Sequence, residues 1–203
     1  MMRKQRRPTE AASMPEAEVT LRLAFWLLRR AEPKSHADIA IDGAHVRIAA
    51  HEQAGRHIEE RTVFDIQSFL AANKCDPRDL KDQWRGTYGF EGHTLRIRSV
   101  QSFDVQVACD GMDIKAECKG GLLQPSGRGA AAIFASAIGQ VIVSGSSGQS
   151  EELWVAVPDS PAFEKVGRRI LKGRAFADTG IKISLVSRAG VRLLEPKDED
   201  RKE

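Results

Sequence analysis

Cysteine is scarce in this 203-residue chain, and its pattern is uninformative for cross-linking. Cys75, Cys109 and Cys118 are too few and too odd in number for a disulfide framework. No Cys-x-x-Cys pair occurs, which excludes the usual structural zinc sites and leaves reduced thiols in a cytoplasmic chain as the expectation. The five histidines show no metal-ligand spacing on one element, and none neighbours a serine or cysteine nucleophile signature. The Gly-rich stretches GGLLQPSGRG and SGSSG lack the Gly-Lys-Ser/Thr of a phosphate-binding loop and read as mobile loops. Long hydrophobic runs are missing too. LAFWLL is far too short to span a bilayer, and AAAIFASAIGQVIV, short and rich in Ala and Gly, reads as a buried helix, so no membrane partner is expected. The basic start, MMRKQRRPTE, is followed by no long apolar region and is not read as a signal peptide. The net charge of +3 permits a nucleic-acid partner without demanding one.

What is present is globular: 41% of residues are hydrophobic and 29% charged, in a chain long enough to bury a core. Residues 1–14 and 197–203 read as disordered tails, with 15–196 as one compact domain. Within it, 15–83 form an N-terminal elaboration and 84–196 the core. EAEVTLRLAFWLLRR has the spacing of an amphipathic helix. ADIAIDGAHVRIAA alternates around Asp42-Gly43, a hairpin signal. RTVFDIQSFLAANK reads as a short helix, HTLRIRSV as the first core strand, and FDVQVAC and DIKAECK as strands joined at Asp110-Gly111. After the helix GRGAAAIFASAIGQVIV come a strand, LWVAVP, and a helix capped by Ser160 with Pro161 at its first position. IKISLVS and VRLLEP are the last strands. Alternating early strands and uniformly apolar late ones predict an α/β fold with a mixed central sheet flanked by helices.

The chemistry sits in the hairpin FDVQVACDGMDIKAECKGG. A turn at Asp110-Gly111 pairs Cys109 with Met112 and, carried back along both strands, sets Asp104 opposite Glu117. Lys119, two residues on, shares their face, as do Gln106 and Lys115, while Phe103, Val105, Val107, Ile114, Ala116 and Cys118 point the other way. Two opposed carboxylates repel, and burial makes ionising both costly. A hard divalent cation removes that conflict, and a lysine beside it can orient a water or neutralise charge on a phosphate. The tripeptide Asp/Glu-x-Lys alone says little, since it occurs six times. Only Glu117-Cys118-Lys119 ends a strand in register with an upstream acid and leads through Gly120-Gly121 to an apolar helix.

Asp104, a hairpin and Glu117-Cys118-Lys119 together resemble the PD-(D/E)XK nuclease superfamily, the restriction-endonuclease-like fold, over residues 84–196 and more loosely from 15. The proline before the aspartate is replaced here by Phe103. The resemblance implies an αβββαβ core and a Mg²⁺-dependent endonuclease, with Mn²⁺ as a substitute, acting on DNA in restriction, defence or repair. It implies Asp104 and Glu117 as metal ligands with Cys118, next after Glu117, in the same set, Lys119 activating water, Gln140 on the following helix supporting it, and Glu18 as the first-helix glutamate that also contributes. It further implies a homodimer, and leaves room for a partner protein encoded nearby.

Outside that constellation, Lys115 and Arg128 are candidate DNA contacts, and Arg168, Arg169, Lys172 and Arg174 make a basic helix that can meet phosphates. Trp26 and Trp154 are expected in the core. Two other readings stand beside the enzyme: a nuclease-fold module that binds nucleic acid or protein without cutting, and an assembly protein using the helix from Phe163 to Ala177 as its interface.

Overall fold

The structure is a computed structural model that describes residues 13–43, 46, 51–53, 56–58, 64–109, 111–145 and 150–196. In chain order its strands are β1 (Ser13–Met14), β2 (His36–Ala40), β3 (His51–Gln53), β4 (Arg56–Ile58), β5 (Asp76–Leu80), β6 (Gly86–Phe90), β7 (His93–Arg98), β8 (Val105–Cys109), β9 (Met112–Cys118), β10 (Gly121–Leu122), β11 (Glu151–Pro158), β12 (Lys182–Val186) and β13 (Val191–Leu194). Its helices are α1 (Glu16–Leu28), α2 (Ile66–Ala72), α3 (Gly127–Ser144), α4 (Pro161–Leu171) and α5 (Arg174–Ala177). Nine strands form one sheet in the order β13-β12-β11-β9-β8-β2-β7-β6-β5. β11 runs parallel to β9 and β12, β2 runs parallel to β7, and the other neighbours are antiparallel. The chain is therefore α/β with a large mixed sheet flanked by helices.

Two apolar layers hold it. α1 was expected to be amphipathic, but the structure buries ten of its thirteen residues, because its apolar side chains run almost all round the cylinder. It packs on the face of the sheet formed by Ala37, Ile39, Leu95, Ile97, Val105, Val107, Ile114, Ala116 and Cys118. The opposite face, at β11 and β12, is covered by α3 and α4 through Phe134, Ala137, Val141, Phe163 and Val166 against Val155, Val157, Ile183 and Leu185. α3 was expected to be buried. It buries only one stripe, Ala130, Phe134, Ala137 and Val141, and leaves Ile142 and Val143 exposed. By length and composition it could cross a membrane, yet its stripe lies on the sheet core.

The expected elements around α4 are present as read: Ser160 accepts a hydrogen bond from the Phe163 amide at 3.4 Å, with Pro161 following. The helix stops at Leu171 and resumes after Gly173, a break the sequence reading passed over. The hairpin expected around Asp42-Gly43 is not local for its first strand: β2 sits mid-sheet between β7 and β8, and residues 44, 45 and 47–50 lie outside the described ones. The loop read at His51 and His57 carries the small ribbon β3–β4. Asp76–Leu80 and Gly86–Phe90 are added strands at the sheet's far side, and Tyr88 there donates its hydroxyl to the Trp84 carbonyl at 2.6 Å. The strand adjoining β8 is β2, not HTLRIRSV, so residues 36–40 belong to the heart of the sheet and not to an elaboration. Of the tail expected over 1–14, Ser13 and Met14 instead form β1, paired with β10, with Met14 buried; residues 1–12 and 197–203, the loop at 146–149 and Asp110 lie outside the described residues.

Candidate functional site

The β8–β9 hairpin adopts the register read from sequence: Cys109 with Met112, Val107 with Ile114, Gln106 with Lys115 and Val105 with Ala116. The ladder stops there, one pair short of Asp104 and Glu117. Alternation also stops: Phe103 joins the α3–α4 layer, whereas Val105 and Val107 join the α1 layer. That places Phe103 on the side opposite to the one expected for it. Released from strand pairing, Asp104 turns its side chain onto the neighbouring backbone, where Oδ2 accepts the Cys118 amide at 2.8 Å. Its own carbonyl accepts the Ala40 amide at 2.9 Å. Asp104 is thus held from both sides, by β2 and by the last residue of β9.

Lys119 follows Cys118 at the end of β9, where its amide bonds the Ala156 carbonyl of β11. Its Nζ lies 2.7 Å from Glu117 Oε1 and 3.6 Å from Glu16 Oε2. Glu117 is 7% exposed, so the pair is well shielded from water. The electrostatics follow from that shielding. Burial, and then repulsion from Glu117, push the Asp104 carboxyl up to about 7, against the opposing pull of the Cys118 amide. Burial raises Glu117 as well, with the Lys119 ammonium working against it. Burial favours a neutral Lys119, but Glu117, Glu16 and Asp104 outweigh it and raise its pKa, so it stays an ammonium.

The first-helix glutamate at this cluster is Glu16. Glu18, the residue expected there, is buried elsewhere, against Arg22 Nε at 2.9 Å and Arg188 Nε at 3.0 Å. Residues two apart on a helix do not share a face. Arg22, four residues after Glu18, was the sequence signal that Glu18 had a partner; nothing comparable marked Glu16. Replacing Glu18 by alanine is expected to cost about 1–2 kcal/mol, discounted from a fully buried pair because Arg22 and Arg188 can be rehydrated, and urea unfolding will measure it.

Cys118 contributes its amide, as donor to Asp104. Its thiol lies wholly buried in the α1 layer, where burial raises its pKa well above the ordinary value. Gln140 is exposed on the C-terminal half of α3, and the polar partners of Lys119 are glutamates. Lys115 is paired with Glu151 at 2.6 Å, which competes with the DNA contact expected of it. Arg128 is exposed in the first turn of α3. Trp26 and Trp154 meet at 6.3 Å between ring centres, with Trp154 in the core and Trp26 packed partly buried against it.

Among the described residues no three His, Cys, Asp or Glu side chains close on one metal-sized point. Asp104 and Glu117 are nonetheless hard oxygen donors in a shielded place where both resist ionisation, and two carboxylates with waters suffice for Mg²⁺. That donor set fits a hard divalent cation. Comparison with protein-family models, curated proteins and solved structures finds no match.

Proposed function

We propose that this chain is a divalent-cation-dependent endonuclease of restriction-endonuclease-like fold that hydrolyses DNA phosphodiesters. The observation that carries the reading is the meeting of Asp104, Glu117, Lys119 and Glu16 at the end of one hairpin, shielded and electrostatically strained. With β3–β7 and α2 left out between β2 and β8, and β10 before α3, the elements α1, β2, β8, β9, α3 and β11 support it, since they follow the helix, three strands, helix, strand order that the resemblance implies.

Asp104 and Glu117 would hold Mg²⁺, or Mn²⁺ in its place, and the bound ion would supply Lewis acidity toward water and phosphate. The chain's own groups do the rest. The Cys118 amide fixes the direction of the Asp104 carboxylate. Lys119, as an ammonium, is a donor and not a base: it can orient a water and offset negative charge on a phosphate oxygen. Glu16 and Glu117 restrain the lysine's reach. The test is cleavage of supercoiled plasmid with Mg²⁺ or Mn²⁺ by wild type, Glu117→Ala and Lys119→Ala. Cleavage by wild type alone is expected; cleavage unaffected by both changes would assign it to another site.

One observation favours a second reading, a nuclease-fold module that binds nucleic acid or protein without cutting. Lys119 is already ion-paired with Glu117 and Glu16, so part of the cluster's negative charge is offset without an added ion. That reading expects binding without cleavage on any substrate, and no melting shift with Mn²⁺.

A further inference from the structure

The basic helix read in the sequence resolves into two kinds of cation. Arg168 is bound to Glu164 at 2.8 Å and to the Glu195 carbonyl at 3.2 Å. Arg192 takes Asp159 and the other oxygen of Glu164. The acids around α4 are thereby consumed. Lys165 and Arg169, four residues apart on one face of α4, form no ion pair among the described residues, and neither does Arg128 at the start of α3. Most of the arginine clusters elsewhere are closed: Arg22 and Arg188 share Glu18, Arg29 meets Glu91, and Arg96 and Arg98 share Asp38.

Lys165 and Arg169 wall a cavity of about 400 Å³ between α3 and α4, with Ala162 and Val166 as its apolar floor and Gly127 at its rim. Its position relates it to the hairpin site. β9 and β11 run parallel, and α3 and α4 each start beyond the C-terminal end of one of them, the edge at which Lys119 stands. Gly121, two residues past Lys119, lies so close to both helices that a side-chain carbon there would be 3.2 Å from Ile133 and 3.3 Å from Phe163. An apolar floor suits a sugar or base, and two uncompensated cations suit the phosphate attached to it.

We propose that this cavity is a second phosphate position for the nucleic-acid strand whose scissile bond lies at Asp104, Glu117 and Lys119. It rests on the nuclease reading. Lys165 and Arg169 would bind a phosphodiester away from the reacting bond, so they set strand affinity without touching the chemistry.

The test is fluorescence anisotropy of a labelled DNA duplex with the full chain in chelator, across a salt series. Lys165→Ala/Arg169→Ala is expected to weaken binding about tenfold at low salt and to flatten the slope of log affinity against log salt by about 1, for the one phosphate no longer neutralised. Lys165→Arg/Arg169→Lys is expected to retain both, and the Mn²⁺ melting shift is expected in every variant. Wild-type affinity and slope in the alanine variant, in protein that still cleaves plasmid, would overturn the cavity proposal and leave the nuclease reading standing. Wild type that neither binds nor cleaves would overturn both. Labelled polyglutamate that binds as tightly as DNA and is lost in the same variant would assign the cavity to an acidic protein partner and overturn the proposal.

Discussion

Replacing Asp104 by asparagine is expected to stabilise the metal-free protein at pH 8 while abolishing cation-dependent cleavage. The folded state holds the Asp104 carboxyl at about 7, against 3.8 ordinarily. Between those values the folded chain binds a proton that the unfolded chain has released, so stability falls as pH rises from about 4 to about 7. Three pKa units correspond to about 4 kcal/mol in full, and partial solvation of the group brings the expected gain for Asp104→Asn at pH 8 to about 2–3 kcal/mol. The gain should vanish near pH 4, where both side chains are neutral. Glu91 and Glu164 do not obscure the window, because Arg29 and Arg192 hold their carboxyls below the ordinary range, and what they contribute is lost only in stronger acid. The asparagine amide oxygen can still accept the Cys118 amide, so the comparison isolates charge. Urea unfolding in chelator at pH 5 and pH 8 measures it, and a variant less stable than wild type at pH 8 would show that the carboxylate is not strained. Added Mg²⁺ should stabilise wild type at pH 8 and leave Asp104→Asn unmoved, since only a ligand bound preferentially to the folded state shifts unfolding. Cleavage should fall on the order of a thousandfold or more. Stability and activity then move in opposite directions at one position, as expected of a charge kept under strain for function.

How far these features are legible in the sequence depends on whether they are local. The β8–β9 register follows from one turn dipeptide and the two-residue repeat of a strand, so the pairs from Cys109–Met112 to Val105–Ala116 could be read without knowing the rest of the fold, whereas the bond of Asp104 to the Cys118 amide beyond them could not. The α4 cap is equally local. What escaped the sequence is set by distant partners. β2 carries the same alternation whether it pairs with its neighbour in sequence or, as it does, with β7 and β8. Glu16 and Glu18 are indistinguishable as letters; their roles are assigned by Lys119 and Arg188, which the chain brings in from 103 and 170 residues away. α3 reads as buried because it is apolar, but a helix against one face of a sheet buries only a stripe, and nothing in its sequence announces that its other side stays open.

Gly120→Ala is expected to be strongly damaging. β1 pairs with β10 immediately after Lys119, Ser13 opposite Leu122 and Met14 opposite Gly121, so the segment leading into α1 lies across the lysine's own backbone. A side-chain carbon at position 120 would stand 2.4 Å from the Glu16 nitrogen, 2.8 Å from the Met14 carbonyl and 2.8 Å from the Pro15 carbonyl carbon. All three are backbone atoms, so no rotamer change relieves the contact. Either β1 lifts from β10 or the Lys119–Gly121 turn shifts, and both move Glu16 relative to Lys119. Overpacking against rigid neighbours costs typically 1–3 kcal/mol and occasionally more, and about 3 kcal/mol is expected here by urea unfolding. A second readout separates a general loss of stability from displacement of the site. Glu16→Gln leaves the backbone in place and removes one of the two carboxylates ion-paired with Lys119, so it should alter cleavage with little change in stability. Gly120→Ala should alter both, and should do so even at temperatures where the variant is fully folded, because the carboxylate that restrains the lysine is carried by the very segment the new methyl group displaces.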